Sequence, residues 1–326
     1  MTATEKITEL RQRIAEALTP LIDRDYVFLE IPYYPNPGDV LIWRGTEDFL
    51  ETLPYKCLYK SSLKNFDFEV PSEAIILLQG GGNFGDLYYE NVDFRNMIIS
   101  RYPDNKIIIL PQTVYYAGYR KLIRDVFIMR KHKCLTVCAR DKYSYGFLKR
   151  YGFSDNLRLV PDMAFFCELN YLKSFLLPQE DKTLFVKRVD AELADSCNLA
   201  VDCDVSDWAA AMQEDEHQQK LSAAIVGHSL TTQFLTDEFF PHLIEQAVNQ
   251  ISGYGKLYCT RLHAAILSIL LDKEVVVMDN SYGKNRHFYQ TWLSDVDSVS
   301  MRNGKCRLNL NRTIRLIVAY FVLKIK

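Results

Sequence analysis

The stretch "KLYCTRLHAAILSILLDKEVVVMD", residues 256–279, decides the fold. Residues 256–260 read as a short strand, an apolar helical run starts there, and residues 274–279 read as a second, Val-rich strand. A strand, a helix and a strand in so little chain make a parallel βαβ crossover. Thr260, Arg261 and His263 sit where the helix begins, an unusual place in an apolar run for groups that prefer charge or water. Unpaired N–H groups and the helix dipole favour an anion at such a point, and Arg261 adds a full positive charge. His263 is a candidate proton donor beside that anion, the bland reading being a structural histidine.

Working outward, the same alternation recurs. Candidate strands lie at 26–31, 74–79, 106–111, 134–140 and 157–162. Residues 163–182 break the rhythm and end in a polar, Pro-containing stretch, after which strands are expected at 183–188, 222–227, 256–260 and 274–279. Continuous Ile/Leu/Val runs predict strands covered on both faces. The expectation is an α/β protein with two Rossmann-like domains, residues 1–170 and 182–300, facing across a cleft, followed by a basic amphipathic segment, 301–326. In open sheets of this kind ligands gather outside the carboxyl ends of the strands.

Length agrees, since 326 residues suit two domains of about 150 each. With 48% hydrophobic and 25% charged residues, most of the chain is expected to fold and no long disordered tail is indicated. A net charge of −2 excludes the broad basic surface of a non-specific nucleic-acid binder. The charge is uneven: Arg302 to Lys326 holds seven basic and no acidic residues, leaving −9 on the rest. The amphipathic N-terminal helix, about 4–18, is charged throughout and lacks a signal-peptide core, so a cytoplasmic location is expected. The apolar run Leu316–Leu323 is too short to span a bilayer. It reads either as a helix packed on the protein or as an interfacial segment drawn to anionic lipid. Eight scattered cysteines show no zinc spacing, so they read as reduced, mainly packing thiols, and no metal is expected.

Other polar clusters fall at strand ends. In "NPGD", Asn36 and Asp39 precede or open a helix, Asp39 being a natural cap or a cleft-lining acid. In "QGGGNFGD", Gly81 and Gly82 imply a sharp turn with close backbone approach, and Asn83 and Asp86 are candidate contacts to hydroxyls. The dinucleotide fingerprint that the glycines imitate lacks its acid after the next strand, which ends in "LPQT". Gln112 and Tyr115 suit carbohydrate, although the adjacent pair Tyr115 and Tyr116 suits packing too. Arg140 closes a strand and needs a carboxylate or phosphate partner, an internal pair with Asp162 being the bland choice. Asp141 would cap the next helix. Asp279, Asn280, Lys284, Arg286 and His287 read as a mobile basic loop.

Taken in order, "NPGD", "LLQGGGNFGD", "ILPQT", "ARDKYS", "VPDMAFF", "FVKRVDAE" and "CTRLHAAILSILLDKEVVVMD" resemble the polysaccharide pyruvyl transferase family over about residues 26–292. The resemblance implies a GT-B-like pair of domains. It also implies transfer of pyruvate from phosphoenolpyruvate to a sugar as a ketal, with phosphate released and no cofactor, in exopolysaccharide or capsule biosynthesis. Arg140 and Arg261 would be ligands of the donor's carboxylate and phosphate, with Thr260, Lys284 and Arg286 nearby, and His263 the general acid. Asp39 or Asp86 would serve as base. Asn36, Gly81, Gly82, Asn83, Gln112 and Tyr115 would meet the acceptor, in bacteria often a lipid-linked oligosaccharide at the inner membrane face, which a basic tail suits. The residues also leave room for a nucleotide-sugar glycosyltransferase or a non-catalytic carbohydrate-binding protein of the same fold.

Overall fold

The computed structural model describes residues 1–190, 192–194, 202–208, 215–302 and 310–325. In chain order its first elements are α1 (Ala3–Leu18), β1 (Tyr26–Leu29), α2 (Pro37–Leu50), β2 (Cys57–Ser61), β3 (Ile75–Leu78), β4 (Gly81–Gly85), α3 (Tyr89–Arg101) and β5 (Ile107–Tyr115). Then come α4 (Tyr119–Lys131), β6 (Leu135–Ala139), α5 (Lys142–Tyr151), β7 (Asn156–Leu159), α6 (Leu169–Lys173), β8 (Glu180–Val186) and β9 (Asp204–Ser206). The last are α7 (Glu216–Val226), α8 (Phe240–Ser252), β10 (Tyr254–Cys259), α9 (Leu262–Leu270), β11 (Glu274–Met278), α10 (Lys284–Phe288), β12 (Val299–Arg302) and α11 (Leu310–Ile325).

Two wholly parallel sheets result, as the uninterrupted apolar strands require. The first runs β2-β1-β3-β5-β6-β7, with β4 also paired to β5. The second runs β12-β11-β10-β8-β9. Every residue of β1, β3 and β6 is buried, the signature of strands covered on both faces. In each sheet the chain reverses its direction of travel once, between β1 and β3 in the first and between β8 and β10 in the second. The carboxyl ends at these switch points are where such sheets hold ligands.

The contacts divide the chain discontinuously. One unit holds 13–31, 53–162 and 307–326, and the other holds 1–12, 32–52 and 163–306. Helix α2, expected with the first sheet, groups with the second, because Trp43 packs on Phe240 with ring centroids 4.6 Å apart and the helix also lies against α9. The "SAAIVG" run at 222–227 is not a strand but the end of α7. Asp215 caps that helix through Gln218 N, and the helix-forming residues after it outweigh a short apolar run whose period fits either structure. The tail is a helix that belongs to the first unit: Ala319 and Leu323 enter its core. Among the described residues no helix is long and apolar enough to cross a membrane. Cys138 and Cys259 are packed in the interior, where burial pushes both thiols up to about 12.

Strands β3 and β4 behave as one strand kinked at Gln79–Gly80, since β4 resumes pairing with β5 where β3 leaves off. Gly81, just past the kink, sits at φ +136°, a conformation that favours glycine. Gly85 has φ +137°, and a Cβ on it would lie 1.7 Å from the Tyr115 carbonyl oxygen. Gly85→Ala should therefore cost about 3 kcal/mol or more in urea-induced unfolding, through strain and displacement of β5 together. An unchanged midpoint would contradict this close approach of β4 to β5.

Candidate active site at the second switch point

The site grows from the ends of β8 and β10. Thr260 follows β10, and its buried hydroxyl donates to Val186 O (3.2 Å) and accepts from Arg188 N (2.8 Å), locking the two strand ends together. Asn285, at the start of α10, donates to Thr260 O and Met278 O, both at 2.8 Å, and so adds the end of β11. Thr260, expected to bind donor, thus has its hydroxyl committed to the scaffold.

From this frame project alternating charges. Arg188 grips Asp190 with Nε (2.7 Å) and Nη2 (2.9 Å) and reaches Glu192 with Nη1 (2.8 Å). Arg261 forks onto Asp207 through Nε and Nη2 and reaches Asp190 at 3.3 Å. Glu192 also accepts from Lys284 Nζ (2.9 Å), Asn280 Nδ2 (3.0 Å) and the Tyr282 hydroxyl (3.0 Å). Burial alone would raise the Glu192 pKa, but Lys284 and Arg188 overcome it and hold the carboxyl well below the usual range. Asp190, two-fifths exposed, is held low too: Arg188 outweighs a burial effect in the opposite direction. Three cations face three carboxylates, and of the six side chains Asp190 is the most open to solvent.

His263 lies in the first turn of α9, two residues after Arg261, the residue preceding that helix. The amino end of α2 comes to meet it. A Cβ built on Gly38 would lie 2.4 Å from His263 Nδ1 and 2.9 Å from its Cβ, so only glycine lets the helix approach this closely. Asn36, not Asp39, caps α2, its Oδ1 accepting from Gly38 N at 3.0 Å. A capping side chain must precede the helix, and Asp39 already lies within it. Asp39 Oδ2 accepts from the Tyr34 hydroxyl (2.9 Å) and Asn36 Nδ2 (2.7 Å). Two helix amino termini therefore flank His263, and with Arg261 they make this corner favourable to an anion.

The basic stretch expected as a mobile loop is the ordered helix α10, entered through Gly283 at φ +88°. Lys284 is largely buried on Glu192, whereas Arg286 stays about one-third exposed, 3.7 Å from Asp279. Burial raises the Asp279 pKa.

The remaining candidates fall in the other unit. Arg140 is wholly enclosed, with Nη1 on Asp162 (2.6 Å) and Nε on Thr113 Oγ1 (2.8 Å), which is the internal pair expected on the bland reading. Asp141 caps α5 through Ser144 N at 2.7 Å. Gln112 is buried and donates to Gln79 O at 2.7 Å. Asp86 accepts from Ala117 N and Gly118 N, pinning the turn after β5. Gly81 and Gly82 open β4, and Asn83 Oδ1 accepts from Arg95. Arg95 is itself paired with Glu30 at 2.7 Å, both side chains fully buried. Glu30, at φ +69°, puts this pair at the first switch point, under the glycine turn. Tyr115 lies under the Arg312 guanidinium, 4.3 Å from ring centroid to Cζ, and Tyr116 is buried with its hydroxyl on Asp125 at 2.7 Å.

Sequence reading missed Arg188, Asp207, Gly38, Glu30 and Arg95 as partners. The one available signal was Arg188 with Asp190 and Glu192 directly after a strand; Asp207 sits in an acid-rich stretch without a pattern. It also missed a group that could offer metal ligands: donor atoms of Asp215, His217 and His242 lie within 4.8 Å of one another. Asp215 is accounted for as the α7 cap and as acceptor from His242 and Gln246.

Known proteins resemble this chain in sequence and fold. A family model described as polysaccharide pyruvyl transferase matches residues 36–282. EpsO of Bacillus subtilis (strain 168), which carries a pyruvyl transferase name qualified as provisional, is 30% identical over 311 residues, covering 92% of this chain and 96% of its own. Pyruvyl transferase 1 of Schizosaccharomyces pombe is 26% identical over 299 residues, 83% of this chain and 70% of its own. A crystal structure of a functionally uncharacterized Klebsiella pneumoniae protein shares the fold, with a TM-score of 0.65 at 24% identity over 90% of this chain and 99% of that one.

Two outcomes test the geometry. Glu192→Gln removes the buried negative charge that Lys284 and Arg188 share and should lower stability by roughly 3 kcal/mol at neutral pH, read by chemical denaturation. Because the native carboxyl is held low, its contribution is full above its ordinary value of 4.5 and is lost as pH falls toward the depressed value, so the gap between wild type and variant should narrow below that point. A gap constant down to strong acid would contradict the network. Gly38→Ala should move the His263 ring resonances in NMR spectra and lower stability by about 1 kcal/mol or more, since the displacement the new methyl forces outweighs alanine's better helix propensity. Unmoved resonances would separate α2 from the histidine.

Proposed function

Because the chain belongs to the polysaccharide pyruvyl transferase family, we propose that it moves pyruvate from phosphoenolpyruvate onto two hydroxyls of a sugar as a ketal, releasing phosphate. The acceptor in this reading is a hexose of a lipid-linked polysaccharide precursor at the inner membrane face. The observation that carries the proposal is Arg261 and His263 together at the amino end of α9, facing the amino end of α2.

The donor is a small dianion or trianion with a carboxylate beside a phosphate. Arg261, with Arg188 and Lys284 behind it, supplies the cations, and Asp190, the most exposed of the three carboxylates, is the partner an incoming anion displaces. Arg286 adds a partly exposed charge beside Asp279. Arg140 is left out as a clamp, its guanidinium being enclosed on Asp162.

His263 gives a proton to the methylene carbon, which becomes the methyl group. Positive charge develops on the neighbouring carbon, where one sugar hydroxyl adds. Asp39, next to Gly38 and already accepting two hydrogen bonds, orients that hydroxyl and takes its proton, with Asn36 beside it. The second hydroxyl then displaces phosphate and closes the ring. Of the two hydroxyl protons, one replenishes His263 and the other leaves with phosphate. Asp86 is the weaker choice of base, because both of its oxygens are occupied by backbone amides.

The test is a donor panel with a glycan acceptor, followed by mass spectrometry for a ketal-linked three-carbon acid. Phosphoenolpyruvate should yield product and phosphate, His263→Ala should lose roughly 10²-fold or more in turnover, and Arg261→Lys should rescue Arg261→Ala poorly, because a point charge does not replace a planar fork. Release of a nucleoside diphosphate from a nucleotide sugar would make the chain a glycosyltransferase. Glycan binding without product from any donor would make it a carbohydrate-binding protein.

A further inference from the structure

Helix α11 has two apolar faces. The inner one is covered: Ala319 and Leu323 are buried in the first unit's core, Leu316 and Tyr320 pack against it, and Arg312 Nε donates to Tyr116 O at 2.8 Å. The outer one is open. Ile314, Ile317, Val318, Phe321 and Val322 are 52%, 51%, 43%, 59% and 36% exposed. Their spacing of i, i+3, i+4, i+7 and i+8 makes one continuous stripe along the helix, so this is a surface and not a scatter of single residues.

The charge around the stripe is mainly basic. α11 itself carries Arg312, Arg315 and Lys324 and no acid. It packs against α4 and α5. α4 exposes Arg120, Lys121, Arg124, Arg130 and Lys131, and its one acid, Asp125, is buried and accepts from Tyr89, Tyr116 and Asn96. α5 exposes Lys142, Lys149 and Arg150 and has no acid. Asp93 of α3 reaches this surface to pair with Arg124 at 3.1 Å. The chain as a whole is slightly acidic, so this basic concentration is local.

We propose that the outer face of α11, with the basic surfaces of α4 and α5 beside it, docks the protein on an anionic lipid membrane. The apolar stripe enters the headgroup boundary with Phe321 among its deepest groups, and the lysines and arginines meet lipid phosphates. A nucleic acid would use the charge but leave the stripe exposed to water. A second copy docking through the same face would bring the two basic surfaces together. An anionic bilayer satisfies both features at once. The inference does not depend on the chemistry proposed above, and its test contains neither donor nor acceptor, so either reading can fail alone.

The test is co-sedimentation of the full chain with phosphatidylcholine vesicles, with and without about 30% phosphatidylglycerol. Binding should favour the anionic vesicles roughly tenfold or more and weaken to a similar degree when salt rises from about 0.1 M to about 0.5 M, where screening shortens the reach of the charges. Ile317→Glu with Phe321→Glu changes only exposed positions, so the melting temperature should hold while vesicle binding falls at least about tenfold. Equal binding to both vesicle types, no vesicle binding, or binding indifferent to the double variant would overturn the proposal. Self-association of the wild type that the double variant abolishes, in the absence of vesicle binding, would give the face to a second copy instead.

Discussion

The locked ends of β8 and β10 are the constraint on which the site depends. One buried hydroxyl, that of Thr260, bonds to both the last carbonyl of β8 and the amide of Arg188, and so sets where Arg188 and Arg261 leave the sheet. Because strand order reverses there, the next strands lead away on either side and the charged groups stand clear of the backbone. Asn285 extends the lock to β11 and thereby fixes Lys284, which precedes it in the chain. The position of three cations follows from a few backbone hydrogen bonds.

Those cations are matched by Asp190, Glu192 and Asp207, and the match has a consequence for function. A cluster of unpaired positive charges would repel itself and cost stability in the empty protein, whereas a balanced one can wait for an anion and exchange partners when it arrives. Glu192 is the permanent member, buried under four donors; Asp190 is the member with room to move. Beside this network Gly38 brings a second helix amino end against His263. An imidazole between two helix amino ends and near an arginine stands in a corner favourable to an anion.

Much of this was legible in the residues, and what was not has physical reasons. Short apolar runs bounded by polar punctuation read as buried strands, whereas the longer apolar runs of α9 and α11 are helices, so β1, β3, β5, β6, β10 and β11 followed from pattern. The run at 222–227 did not, because four apolar residues carry no period and Asp215 had already begun a helix. Arg261 and His263 stood out through their place at a helix start. Asp207 and Gly38 could not, since one pairs across 54 positions of sequence and the other acts by having no side chain. Arg140 was open to either a ligand or an internal pair, and the structure has the pair, with Asp162 22 residues on, just past the end of the neighbouring strand. That α2 groups with the second sheet is written in Trp43 and Phe240, which nothing local connects.

The central claim is that Arg261, backed by Arg188 and Lys284, forms a receptor for one small acidic metabolite. The most direct measurement is isothermal titration calorimetry of phosphoenolpyruvate into the protein without acceptor, repeated with Arg261→Ala. The account predicts a single saturable site in the wild type that the variant loses. Binding of phosphoenolpyruvate unchanged in the variant, or no binding in the wild type alongside saturable binding of a nucleotide sugar, would contradict it.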